Sequence, residues 1–129
     1  MRVAAALVLC LALAAPALAA PAKFTILGRW HGQLHQRGLK PFKITATVRG
    51  LGRKAVNTVH YTGIDCSGRW TYLGRKGAAY RFGEKITSGR GGSCKGVGTV
   101  TVTPAGANRV RYVFRGGGVV SRGLLLRAR

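Results

Sequence analysis

Beyond Pro21 no stretch of the chain carries a sustained 3.6-residue apolar period. Instead Thr, Val, Ile, Tyr and Phe alternate with polar residues between glycine-rich breaks about every ten residues. This pattern predicts an all-β chain with strands over 24–34, 41–50, 54–63, 67–74, 78–88, 96–104, 108–115 and 119–127. The short breaks make these hairpins in sequence order. Side chains alternate across a strand, so the pattern also separates two faces. Phe24, Ile26, Trp30 and Leu34 share one side of the first strand, Ile44, Ala46 and Val48 one side of the second, and Val110, Tyr112 and Phe114 one side of the seventh. These sides are expected to line the core. The opposite sides carry Arg29, Lys43, Arg49, Arg69, Arg81, Lys85, Arg109, Arg111 and Arg115, which spreads charge over the outer surface. Eight short antiparallel strands, each with one apolar face, close into an up-and-down barrel and so remove exposed sheet edges. A two-sheet β-sandwich is the alternative.

Glu84 alternates in register with Tyr80, Phe82 and Ile86 and is therefore expected to point inward. A buried carboxylate must be paired or hydrogen-bonded. Arg122, in register with Val120, Leu124 and Leu126, is one candidate partner, and the backbone of a neighbouring loop is another. A structural role is expected ahead of ligand contact, because buried acids more often serve architecture.

The N-terminal segment changes the picture of where this barrel works. Met1-Arg2 is a positive start, Val3 to Ala15 an apolar run, and Ala17-Leu18-Ala19 a small-residue cleavage signal. Residues 1–19 thus read as a secretory signal peptide and 20–129 as a single β-barrel domain; the apolar run falls short of the roughly 20 residues that cross a bilayer. Cys10 lies inside the signal, and Leu9 before it does not fit a lipoprotein anchor. Cys66 and Cys94 remain in a chain bound for an oxidising compartment, so one disulfide is the expected assignment. With strand four running up and strand five down, the two cysteines fall at the same rim. Closing that loop of nearly thirty residues contributes about 3–4 kcal/mol in the chain-entropy account. Of 22 Lys and Arg, 21 remain after Arg2 is removed, against only Asp65 and Glu84, a mature charge of about +19. Solubility asks for a net charge of only about 2–8 in a small domain. An anionic partner is the natural explanation of the excess.

Val59-His60-Tyr61, Cys66-Ser67-Gly68-Arg69-Trp70-Thr71, Tyr80 to Gly89, Cys94, Gly98 to Val102 and Gly123-Leu124 together resemble a small bacterial extracytoplasmic domain. Similar domains occur as secreted proteins of unknown function and as the outer part of some actinobacterial receptor-type serine/threonine kinases. The resemblance covers about two thirds of the mature chain. It implies that Cys66 and Cys94 pair, that Glu84 is a structural hallmark and that no residue is catalytic. The chain carries no kinase segment, so what is implied is a module and not a signalling role. Gly28-Arg29-Trp30 is also similar to the Gly-x-Trp of the lipocalin and avidin-type first strand, which fits an eight-stranded barrel of that kind.

Sites for chemistry are sparse. His31 and His35 would lie about 13 Å apart on a strand, and with His60 and two acids they make a poor metal set. No cofactor is implied. Gly89-Arg90-Gly91-Gly92-Ser93-Cys94-Lys95-Gly96 has the composition of a phosphate loop without its Gly-Lys-Ser/Thr ending or helix. It is a hinge in which amides beside Arg90 and Lys95 could hold an anion. No Gly-x-Ser-x-Gly elbow occurs and one Asp with one Glu is a poor glycosidase pair, so an enzyme is not expected. Trp30, Tyr61, Trp70, Tyr72 and Tyr80 could stack bases, but export argues against a genomic nucleic acid, and alternating aromatics more often build a core.

The expected function is a secreted or periplasmic, non-enzymatic binding module. Its partner is an anionic envelope polymer or lipid headgroup, or else a small ligand in a barrel mouth lined by Trp30, Tyr80, Phe82 and Tyr112. A basic protein that binds an acidic partner protein or nucleic acid is the alternative. A ligand-binding barrel requires an open cavity, whereas a surface binder requires a filled core.

Overall fold

A computed structural model describes residues 14–15, 23–89, 94 and 96–129. The expected signal peptide with its cleavage point, Ala14 and Ala15 apart, and Arg90 and Lys95 lie outside these residues. Eight strands follow one another: β1 (Gly28–Gln36), β2 (Phe42–Val48), β3 (Asn57–Thr62), β4 (Cys66–Lys76), β5 (Ala79–Ser88), β6 (Val97–Gly106), β7 (Arg109–Gly116) and β8 (Val119–Arg127). Each pairs antiparallel with its sequence neighbours, and β8 returns to β1 from Trp30↔Arg127 to Gln36↔Ser121, closing an up-and-down barrel. That closing ladder excludes the two-sheet sandwich. No helix among the described residues is long and apolar enough to cross a membrane.

Alternation sets the two faces as expected along β1, β2, β5 and β7. Trp30 and Leu34, then Phe42, Ile44, Ala46 and Val48, then Tyr80, Phe82, Glu84 and Ile86, and Val110, Tyr112 and Phe114 are all buried. Cys66, at the start of β4, forms a disulfide with Cys94, just before β6, with a Cα–Cα distance of 6.6 Å. The bridge therefore ties two strand starts at one rim.

The first strand is shorter than alternation suggests. Residues 24–27 leave the wall and cross the end of the barrel away from the disulfide, placing buried Ile26 and half-buried Phe24 over the core. Gly28, at φ +125°, makes the turn into β1, and the Trp30 indole N–H donates to the Ile26 carbonyl at 2.9 Å. Arg127 fastens this plug: its guanidinium lies 4.3 Å above the Trp30 ring and donates to the carbonyls of Thr25 and Leu27 at 2.6 and 2.7 Å. The third strand starts late for another reason. Asn57 is buried, and its amide accepts from Arg49 N and Gly50 N and donates to the carbonyls of Gly50 and Trp70, which organises the 49–56 loop.

The last strand overturns an expectation. Ser121, Gly123, Leu125 and Arg127 point inward, while Val120, Arg122, Leu124 and Leu126 face solvent. Arg122 therefore cannot pair with Glu84. The close approach of β1 decides the face: a Cβ at Gly123 would run into the Gln33 carbonyl oxygen and meet the Leu34 side chain at 2.7 Å. Only a residue without a side chain fits there, so Leu124 and Leu126 turn outward while Leu125 enters the core.

Candidate functional site

The interior is filled by aromatics over most of its length. Phe24, Trp30 and Tyr80 pack together at the plugged end, Trp70 and Phe82 lie 5.4 Å apart in the middle, and Trp70 stacks on Tyr112 at 6.2 Å. Trp30, Tyr80, Phe82 and Tyr112 thus do not line an open mouth: all four are core, and of them Tyr112 borders the small pocket at the disulfide end. Tyr61 and Trp70 are likewise buried and Tyr72 is half-buried, which removes the platform on which bases could stack.

Among the described residues a small pocket opens at the disulfide end. It is a cavity of about 30 Å³ whose lining includes Gln36, Tyr61, Cys66, Glu84, Tyr112 and Ser121, room for about two water molecules. Glu84 is only 5% exposed and stands directly opposite Trp70 across β4 and β5. This places the Trp70 indole N–H 3.0 Å from Glu84 Oε1. The Tyr61 hydroxyl donates a short hydrogen bond to the same oxygen, and the Tyr61 and Tyr112 hydroxyls lie 2.9 Å apart. Every deeply buried side-chain oxygen or nitrogen among the described residues has a partner, so Oε2 is the atom that Glu84 presents to the cavity. Ser121 and Gln36 close its side with a 2.6 Å hydrogen bond.

Burial pushes the Glu84 carboxyl above its ordinary pKa, against the lowering influence of the Tyr61 and Trp70 hydrogen bonds. It also pushes both tyrosines well above theirs. For Tyr61 the neighbouring Tyr112 and Glu84 add to the rise, and for Tyr112 Glu84 does so. Among the described residues the partners of Glu84 are therefore two neutral donors, Tyr61 and Trp70. Alternation revealed the inward carboxyl, but its donors come from β3 and β4, and nothing local in the sequence pairs them with β5.

Outside, the wall carries no carboxylate, since the chain has only two acids, one of them Glu84 inside and the other Asp65 in the β3–β4 turn. Like charges even stand opposite one another: Arg69 faces Lys85 across β4 and β5, an arrangement that disfavours the fold unless anions screen it. His31 and His35 are exposed on β1, and among the described residues no three His, Cys, Asp or Glu come together. His60 Nδ1 lies 2.7 Å from Ser67 Oγ on the outer wall. The two residues face each other across β3 and β4 as a polar pair.

In comparisons with family models, curated proteins and solved structures, nothing matches this chain.

Proposed function

We propose that this chain is a secreted, non-enzymatic binding module that uses the outer wall of its barrel to hold an anionic partner of the bacterial envelope. One observation carries the reading: among the described residues the pocket at the barrel mouth offers only about 30 Å³, while the outward positions bear Arg and Lys with no acid among them. Small-molecule sites commonly need about 300–1,000 Å³, so this pocket offers little to a ligand beyond water. A wall of uncompensated cations, by contrast, attracts anions over a distance of about a Debye length, near 8 Å at physiological salt. The likeness of the Cys66-to-Val102 segment to bacterial extracytoplasmic domains supports the same compartment, as does the signal-like start.

Retention of the purified protein on heparin and on isolated cell envelopes across a salt gradient, beside a neutral polysaccharide, tests this reading. Tight retention that salt releases is the expected result. No retention on either anionic support would overturn it and return attention to the mouth cavity beside Glu84. Equal, sequence-blind retention on DNA would instead favour a nucleic-acid binder.

A further inference from the structure

The inverted face of β8 puts aliphatic side chains where a soluble barrel has no need of them. Leu124 and Leu126 are each 43% exposed and Val120 is 37% exposed. They do not form a bare apolar patch. Across β7 and β8, Leu126 stands beside Arg109, Leu124 beside Arg111 and Val120 beside Arg115, with Arg122 between Val120 and Leu124 on the same strand. Each exposed aliphatic group therefore has a guanidinium as its cross-strand neighbour. Where this strip reaches the β1–β2 loop it opens into a shallow groove in which His35, Arg37 and Arg122 surround Leu39 and Val120.

We infer that the β7–β8 face lies against anionic lipid bilayers, its arginines on headgroup phosphates and its leucines at the acyl boundary. The inference rests on the surface-binding reading above and narrows the anionic partner to one. Polysaccharides and nucleic acids answer only the charge and would leave Leu124 and Leu126 in water. A bilayer surface answers both, offering phosphate above and hydrocarbon a few ångströms below. Shape agrees, because a barrel wall is convex and presents a strip about two strands wide, near 10 Å, which a soft, flat surface accepts and a rigid protein partner must be hollowed to meet. The His35, Arg37 and Arg122 groove is then the place for one phosphate, with Leu39 and Val120 alongside its glycerol. The charged outer wall also means that the barrel lies on a membrane and does not span it, since a spanning barrel needs an apolar outer band.

The test is co-sedimentation with vesicles of phosphatidylcholine alone and of phosphatidylcholine mixed with phosphatidylglycerol, with heparin retention measured in parallel. The protein is expressed as the full 1–129 chain, and variants are compared only when mass spectrometry shows the same N terminus. The expected result is binding to the anionic vesicles only. The double variant Leu124→Thr/Leu126→Thr keeps strand-forming residues and should bind them about tenfold more weakly, for lost apolar burial, with heparin retention unchanged. Arg111→Gln/Arg122→Gln should weaken both. Strong heparin retention without vesicle binding, or undiminished vesicle binding by the Thr variant, overturns the inference while leaving the surface-binding reading in place. Absence of wild-type binding to heparin, to cell envelopes and to the anionic vesicles removes both.

Discussion

Replacing Glu84 with Ala deletes the oxygen on which two interior donors converge. The Trp70 indole N–H has Glu84 as its acceptor at 3.0 Å, and leaving a buried N–H unpaired costs about 1–3 kcal/mol. Tyr61 keeps the Tyr112 hydroxyl at 2.9 Å, so its share is one net hydrogen bond, about 0.5–1.5 kcal/mol. Two effects act the other way: a poorly solvated acid is removed, and water from the adjoining cavity can reach part of the gap. The expected net loss is about 2–3 kcal/mol, which in a domain of this size lowers Tm by roughly 10 °C. Glu84→Gln keeps a carbonyl oxygen able to accept both bonds and should stay within about 1 kcal/mol of the wild type at neutral pH.

Guanidinium unfolding followed by tryptophan fluorescence is the assay, since Trp30 and Trp70 are both buried. Its pH dependence has a definite sign. Burial raises the Glu84 pKa, so the native state holds this proton more tightly than the unfolded state does. The associated stability is complete below the unfolded carboxyl value and is lost as pH rises through the folded one. The wild type should therefore lose stability relative to Glu84→Gln as pH climbs out of the acid range. An Ala variant within about 0.5 kcal/mol of the wild type, or a Gln variant as damaged as the Ala one, would refute the convergence of donors on Oε1; a difference that stays flat with pH would refute burial as the dominant influence.

Cys66→Ala/Cys94→Ala opens a link between residues 28 apart in sequence and should cost about 3–4 kcal/mol, read as a lower melting temperature that reducing agent no longer changes. Asn57→Ala removes the one side chain that bonds Arg49, Gly50 and Trp70 backbones together; a loss of about 2–4 kcal/mol by denaturant titration is expected, and a neutral substitution would mean that the 49–56 loop holds itself. Tyr112, with its pKa well raised by burial, contributes stability that is present below the unfolded tyrosine value and lost as pH rises through the folded one. The stability advantage of the wild type over Tyr112→Phe should therefore shrink in alkali, and an advantage that grows there would contradict the burial of this hydroxyl.

Much of this protein is legible in its amino-acid order, because β-structure writes itself at a period of two. Alternation identified eight strands, the inward sides of β1, β2, β5 and β7, and Glu84 as an interior acid; the positions of Cys66 and Cys94 at strand starts implied a shared rim. The scarcity of acids needed no structure at all, and neither did the basic outer faces, since charge is counted directly from composition.

Tertiary structure decided what depends on the opposite side of the barrel. The face of β8 follows from Gln33 and Leu34 on β1 crowding Gly123, and a strand read alone gives Leu124 and Leu126 to the core. Phe24 and Ile26 became a plug because Trp30 and Arg127, a hundred residues apart in the chain, hold that segment across the barrel end. The partners of Glu84 came from β3 and β4, and Arg122 is not among them because β8 turns that residue to the outer face. Local periodicity determines which side of a strand can be buried. Which residues meet inside, how much room they leave and which apolar groups are displaced to the surface are settled only when the ring of strands closes and its side chains compete for one volume.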